Sequence, residues 1–509
     1  MFTPKNVNDF LHRAEVVYPD RVAVVDERDQ PAEPLGPLTY RDLAARCRAL
    51  AAALDDMGVA VGGRVAIVSH NSARLLTSFF GVSGSGRVLV PVNFRLAAPE
   101  IDFIVKHSGA DVLLVDPEVD EALAEVTARH RFVLGESDDV IYPLGRAGVP
   151  WAGDESATAT INYTSGTTAR PKGVQLTHRN LWTNAMLMGL HLTLSDRDVL
   201  LHTLPMFHAN GWGMPYAVTG VGGRHIVLRK VDGAEILRRV DTHGVTIMCG
   251  APAVLAMVLD AAGSWDGPIP GRDQVRVVVA GAPPPTRTIE RIETELGWEF
   301  IQIYGLTETA PLLTVNRRRA EWDGVDAHER ARLLGRAGVP ALGVDIETDP
   351  DGEILARGNV VLEAYWNQPE ETAAALADGW FHTGDGGTID DGYLTISDRK
   401  KDVIITGGEN VSSIEVEDAI MSHPHVREVA VVGSPDDRWG EAVTALVVTD
   451  GTVLSADDVI AHCRTRLAGY KCPKRIEFRD ALPRTATGKL QKYLIRRDFW
   501  AEENRQIKG

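Results

Sequence analysis

Between about Leu38 and Leu259, helix-like stretches alternate with short apolar runs. Leu43 to Leu54 reads LAARCRALAAAL, with apolar residues returning at helical spacing. Val65 to Val68 (VAIV) and Val112 to Val115 (VLLV) are compact apolar runs that predict strands. Arg224 to Leu228, Val245 to Met248 and Val275 to Val279 are further β-rich runs. Strands separated by helices predict an α/β architecture, because parallel neighbours need a crossover connection. Neither a fixed-period repeat nor a low-complexity tract interrupts the pattern.

Near Asp398 the pattern changes. The segment DRKKDVIITGGENVSS packs charge, then an apolar run, then paired glycines. Beyond it, Ile414 to Met421 predicts a helix, while Val429 to Gly433 and Ala442 to Val448 predict strands. The chain has 509 residues, and a single core stops growing near roughly 250–300, so two domains are expected. The fold class expected is α/β. A large N-terminal domain of mixed, largely parallel sheets with helices spans 1–398. A charged hinge covers 399–403, and a small mobile α+β domain covers 404–509.

Composition narrows the function. An apolar fraction of 44% and a charged fraction of 24% describe an ordinary globular protein rather than a disordered one. Acidic residues outnumber basic ones 70 to 53, for a formal charge of −17, which argues against a nucleic-acid binder needing a basic face. Cys47, Cys249, Cys463 and Cys472 lie without CxxC pairing, so neither a disulfide framework nor a zinc site follows. The first residues lack the apolar run of a signal peptide, and no segment approaches about 18 uninterrupted apolar residues. No transmembrane segment and a cytoplasmic setting are therefore expected; a homodimer is left open.

The strongest local signal is Tyr163 to Gly173, YTSGTTARPKG, directly after the expected strand end Ala159-Thr160-Ile161. Glycine lets backbone N–H groups approach phosphate oxygens, while Thr164, Ser165, Thr167 and Thr168 add hydroxyl donors around Gly166. Lys172 and Arg170 supply positive charge. A flexible Gly/Ser/Thr turn is the plainer alternative. A Walker loop is not, since Lys172 precedes Gly173 and Val174 follows, where that motif needs Ser or Thr after Gly-Lys.

The segment resembles the phosphate loop of the adenylate-forming superfamily, which contains acyl-CoA synthetases, beetle luciferases and the adenylation domains of peptide synthetases. It departs from the family pattern at Ala169, where glycine is usual and a methyl group restricts the backbone. Other stretches similar to the family's follow in order: PMFHANGW (Pro205 to Trp212), AGAPPP (Ala280 to Pro285), YGLTET (Tyr304 to Thr309), WFHTGD (Trp380 to Asp385), GGEN (Gly407 to Asn410) and RTATGKL (Arg484 to Leu490). The resemblance implies nucleotide contacts from Gly281, Ala282, Pro283, Tyr304, Gly305, Thr307, Asp385 and Arg399. It implies that Glu308, with Thr164, holds Mg²⁺, and that Lys489 is the cation of adenylate formation. His208 would lie beside the substrate carboxylate, with Trp212, Gly213 and Gly305 around the acyl group. Lys401 would be the hinge, bringing Gly407, Gly408, Glu409 and Asn410 to the thioester step.

That family chemistry joins a carboxylic acid to AMP with loss of pyrophosphate, then passes the acyl group to coenzyme A. Negative charge builds on the α-phosphoryl oxygens, so preorganised donors and cations are the parts required. The expected activity is therefore an AMP-forming acid–thiol ligase using ATP, CoA and Mg²⁺. The apolar stripe of Trp212, Met214 and Tyr216 is similar to the corresponding stretch in medium- and long-chain fatty acyl-CoA synthetases, and that resemblance implies such an acid. An aryl or arylpropenoic acid is the runner-up; core packing is the plainer account of the stripe. A carrier-protein acceptor, a luciferase-like oxygenase and a non-enzymatic nucleotide binder are the remaining classes.

Overall fold

The computed structural model describes residues 3–164, 171–281, 284–399, 403–406, 409–436, 439–484 and 490–502. Its helices begin where the sequence offers a cap. Thr39 accepts from the Asp42 amide while the Asp42 carboxylate accepts from the Thr39 amide, opening the helix Tyr40–Asp56. Leu43, Cys47, Leu50 and Leu54 then fall on one face and are buried.

Two large sheets build the N-terminal lobe. Parallel pairing runs through Val22–Val25, Arg224–Val227, Val199–His202, Ile247–Gly250, Arg276–Val279 and Glu299–Tyr304. A second parallel core joins Thr158–Thr164, Val88–Val92, Arg64–Val68, Ala110–Val115 and His130–Val133. Every position of Val88–Val92 is buried, as expected of a strand covered on both faces. Antiparallel strands flank both cores, including Lys172–Thr177 beside Thr158–Thr164. A smaller antiparallel sheet of Val344–Thr348, Glu353–Gly358, Phe381–Asp390 and Tyr393–Arg399 follows.

Most expected elements are present with longer bounds; one shifts. The strand expected at Val245 to Met248 is Ile247–Gly250. Gly244, at φ +62°, ends the helix Gly233–His243 in the left-handed region, and the Val245 amide bonds back to the Val240 carbonyl. Val245 thus belongs to the helix cap, and pairing starts later.

The small lobe is a mixed sheet in which Gly440–Thr449 is central, with Val426–Asp436 and Ile404–Thr406 antiparallel to it and Arg475–Phe478 parallel. The helix Ser413–Met421 covers one face. Arg399 ends a strand paired with Asp385, so the backbone is still in the sheet at that position. The lobes meet where the Asp418 carboxylate accepts the Thr286 amide at 2.9 Å and where Arg427 pairs with Asp260 at 2.9 Å.

Candidate functional site

The strand Thr158–Thr164 ends on Thr164, and Lys172 opens the returning strand directly opposite it. Between them, Ser165, Gly166, Thr167 and Thr168 lie outside the described residues, as do Ala169 and Arg170. The turn's base is anchored from outside: the Tyr163 hydroxyl meets His107 Nδ1 at 2.8 Å. Burial pushes the Tyr163 phenol up and the His107 imidazole down, so both stay neutral near pH 7.

Tyr304 ends the strand Glu299–Tyr304, and its hydroxyl donates to Asp385 Oδ2 at 2.9 Å. The two residues expected to face adenine and ribose are thus joined directly. Asp385 is further fixed because its amide donates to the Thr383 hydroxyl, which itself donates to the Ile354 carbonyl at 2.7 Å. Gly305 has a structural cause: a Cβ there would sit 1.5 Å from the Pro311 carbonyl oxygen, so no side chain fits. Thr307 and Glu308 lie on the short helical turn Thr307–Thr309. The Glu308 carbonyl accepts the Leu362 amide at 2.7 Å, and its carboxylate Oε1 accepts the Tyr365 hydroxyl at 3.0 Å. Burial first, then the Glu308 charge, pushes the Tyr365 phenol up, which keeps it a donor.

Gly281 takes φ +90°; Ala282 and Pro283 lie outside the described residues. His208 is half-buried, with its amide on the Pro205 carbonyl. It is followed by a left-handed turn, Ala209, Asn210, Gly211, Trp212 and Gly213, all at positive φ. Such backbone costs about 1–2 kcal/mol for each non-glycine residue, so the surroundings must hold it. Asn210 does so by donating to the Thr160 hydroxyl in the phosphate-loop strand at 3.1 Å. Trp212 is 4% exposed and packs in the lobe's hydrophobic core with Met214 and Tyr216. A Cβ on Gly213 would meet Asn184 Nδ2 at 2.1 Å.

In the small lobe, Glu409 and Asn410 are exposed on the edge strand Glu409–Val411. Lys401, Gly407, Gly408 and Lys489 lie outside the described residues; Arg484 and Leu490, on either side of the last, form an antiparallel bridge. Sequence reasoning missed Tyr365, His107 and Asn210. Only Tyr365 carried a signal, the aromatic pair before Asn367-Gln368-Pro369 and the helix Pro369–Ala375.

Residues 11–366 match the family model of AMP-binding enzymes, and residues 415–489 match the C-terminal domain of AMP-binding enzymes. The chain belongs to the AMP-binding enzyme family. Two relatives are 37% identical to this AMP-binding enzyme. One is the 4-hydroxybutyrate–CoA ligase 2 of Metallosphaera sedula, matched over 98% of this chain and 95% of the relative. The other is a 2-methylpropanoate–CoA ligase of Humulus lupulus, matched over 96% and 94%. The crystal structure of the anthranilate CoA ligase AuaEII in complex with anthranoyl-AMP superposes with a TM-score of 0.89 at 25% identity, covering 99% of each chain. This AMP-binding enzyme is accordingly an acid–thiol ligase of the acyl-CoA ligase group, with ATP and CoA as co-substrates. Among the described residues no helix is long and apolar enough to cross a membrane.

Proposed function

We propose that this ligase activates a short aliphatic monocarboxylic acid as its acyl-AMP and transfers the acyl group to CoA. The observation that carries the nucleotide half is the Tyr304–Asp385 hydrogen bond, which fixes a ring and a carboxylate together at the edge of the cleft. Adenine stacks on Tyr304, and Asp385 with Arg399 receives the ribose hydroxyls. The Thr164–Thr168 turn and Lys172 cradle the phosphates, and Thr307 adds a hydroxyl.

Glu308 and Thr164 offer the hard oxygen donors that suit Mg²⁺, which is usually held by one or two carboxylates plus substrate phosphates. When bound, the ion neutralises charge on the phosphates. Lys489 supplies the cation where charge builds at the α-phosphate. The small lobe then turns about Lys401, and Gly407, Gly408, Glu409 and Asn410 line the approach of the CoA thiol.

The acid is read from the apolar stripe that follows His208 and from the relatives. Trp212, Met214 and Tyr216 are all buried in the core, so the stripe itself gives no support to a long acyl chain. Two relatives carry names of four-carbon acids. The deciding experiment is CoA-dependent AMP release across straight-chain acids from acetate to dodecanoate, with 2-methylpropanoate and benzoate. Highest kcat/KM near butanoate is expected. A steady rise toward dodecanoate overturns the short-chain assignment, and a preference for benzoate favours an aryl acid.

A further inference from the structure

We infer that Tyr365 is a positioning residue for adenylate formation, holding the Glu308 carboxylate and the phosphate-turn strand in one fixed relation. This rests on the reading of Glu308 as the carboxylate facing magnesium and ATP. Two separate elements must act on the same phosphates: the strand opened by Lys172 and the short turn that carries Glu308. They are distant in sequence, and a third segment ties them together. On one side the Trp366 amide donates to the Gly173 carbonyl at 2.7 Å, and Tyr365 pairs with Val174. On the other, the Leu362 amide donates to the Glu308 carbonyl at 2.7 Å and the Tyr365 hydroxyl donates to Glu308 Oε1 at 3.0 Å. The Lys172 ammonium lies 4.9 Å from the centroid of the Tyr365 ring. One side chain therefore touches both the carboxylate that meets the cation and the lysine that meets the phosphates.

Tyr365 is 8% exposed, so the hydrogen bond is sheltered from water. A sheltered bond to a charged acceptor is stronger than a neutral one and sets the rotation of the carboxylate plane. Backbone hydrogen bonds on both sides already hold the segment, so the hydroxyl is not needed to keep the strands together. Its effect falls on the direction in which Glu308 presents its oxygens. Pre-set donors in this sense lower the reorganisation needed when the metal–nucleotide complex arrives.

The test is Tyr365→Phe, which removes the hydroxyl and keeps the ring over Lys172. Mn²⁺ serves as a paramagnetic probe, its binding to the enzyme–ATP complex read by electron paramagnetic resonance. Half-saturating Mg²⁺ in ATP–pyrophosphate exchange is measured in parallel. Mn²⁺ affinity is expected to fall roughly tenfold and half-saturating Mg²⁺ to rise by a similar factor, as loss of a charge-assisted hydrogen bond implies. KM for the acid and the melting temperature without nucleotide should stay near wild type, a split that a purely structural role does not give. Glu308→Gln should lower Mn²⁺ affinity at least as far, and adding Tyr365→Phe to it should change little more. Unchanged Mn²⁺ affinity in Tyr365→Phe, with loss in Glu308→Gln, overturns the inference and leaves the metal reading standing. Unchanged affinity in Glu308→Gln removes the metal reading and the inference together.

Discussion

The two lobes hold their candidate site side chains in opposite ways. In the large lobe, Tyr304 is bonded to Asp385 and Tyr365 to Glu308, each pair across strands and turns far apart in sequence. Asp116 shows the same style away from the cleft, with Arg229 donating two hydrogen bonds to its buried carboxylate. In the small lobe, Glu409 and Asn410 stand exposed on a short edge strand, and the contacts to the large lobe are a few hydrogen bonds and the exposed Arg427–Asp260 ion pair. Gripping a polyanionic nucleotide favours donors locked before it arrives. Presenting different groups in turn favours surface chemistry and a weak interface, since exposed pairs contribute little.

The largest expected effect comes from acid, and it should separate the lobes. Burial pushes the His178 imidazole down to about 4 and that of His225 to about 3, with His202 also held well down by burial and by His225. All three lie in the large lobe and are hydrogen-bonded as neutral rings. The unfolded chain protonates near 6.5, so it binds more protons than the native state as pH falls below that value. This stability is full above pH 6.5 and is lost progressively toward pH 4. By pH 5 His178 alone has cost about 2 kcal/mol of that stability, and the other two act in the same direction. Burial also lowers the half-buried His423 and His462 of the small lobe, so calorimetry between pH 8 and pH 5 should show both transitions falling, the large lobe's further because its three histidines are buried. Equal displacement of both transitions would contradict the contrast. Next in size is Lys489→Ala, expected to slow ATP–pyrophosphate exchange on the order of 10²- to 10³-fold while sparing thioester formation from supplied acyl-AMP. Unchanged exchange would remove Lys489 from the first half-reaction.

What could be read beforehand follows the same divide. The Tyr163 to Gly173 segment, YGLTET and WFHTGD are short contiguous strings, and their resemblance to family motifs is what named Tyr304, Glu308 and Asp385 as candidates. Their pairings could not. Tyr304 and Asp385 are 81 positions apart, and Glu308 and Tyr365 are 57 apart, distances that only the sheet topology closes. The apolar stripe at Trp212 is compatible with both pocket and core by composition, and burial favours the core. Gly305 and Gly213 illustrate a further limit. Each is required by a close approach from elsewhere in the chain, which no local pattern records. Val245 was misjudged because β-propensity yielded to a helix cap.

Two smaller effects bear on the small lobe. Lys401→Pro is expected to leave adenylate formation largely intact and to slow thioester formation about tenfold or more, since proline fixes φ where a hinge must change it. Equal loss of both half-reactions would count against a pivot there. The smallest effect is expected at Asp418. The helix Thr286–Arg291 has no side-chain cap of its own, with Pro285 at the N-cap position. Asp418 supplies one from the other lobe, its Oδ1 accepting the Thr286 amide and its Oδ2 accepting the Thr286 hydroxyl at 3.2 Å. A lost cap costs about 1 kcal/mol, and this one exists only while the lobes keep their present orientation. Removing it shifts the balance between orientations by about fivefold. Asp418→Ala should therefore change the ratio of the two half-reaction rates by a few-fold, slowing the one run in this orientation and speeding the other, with each lobe's melting temperature nearly unchanged. If both rates fall together, the contact serves folding rather than orientation, and the weak interface does not regulate the turn.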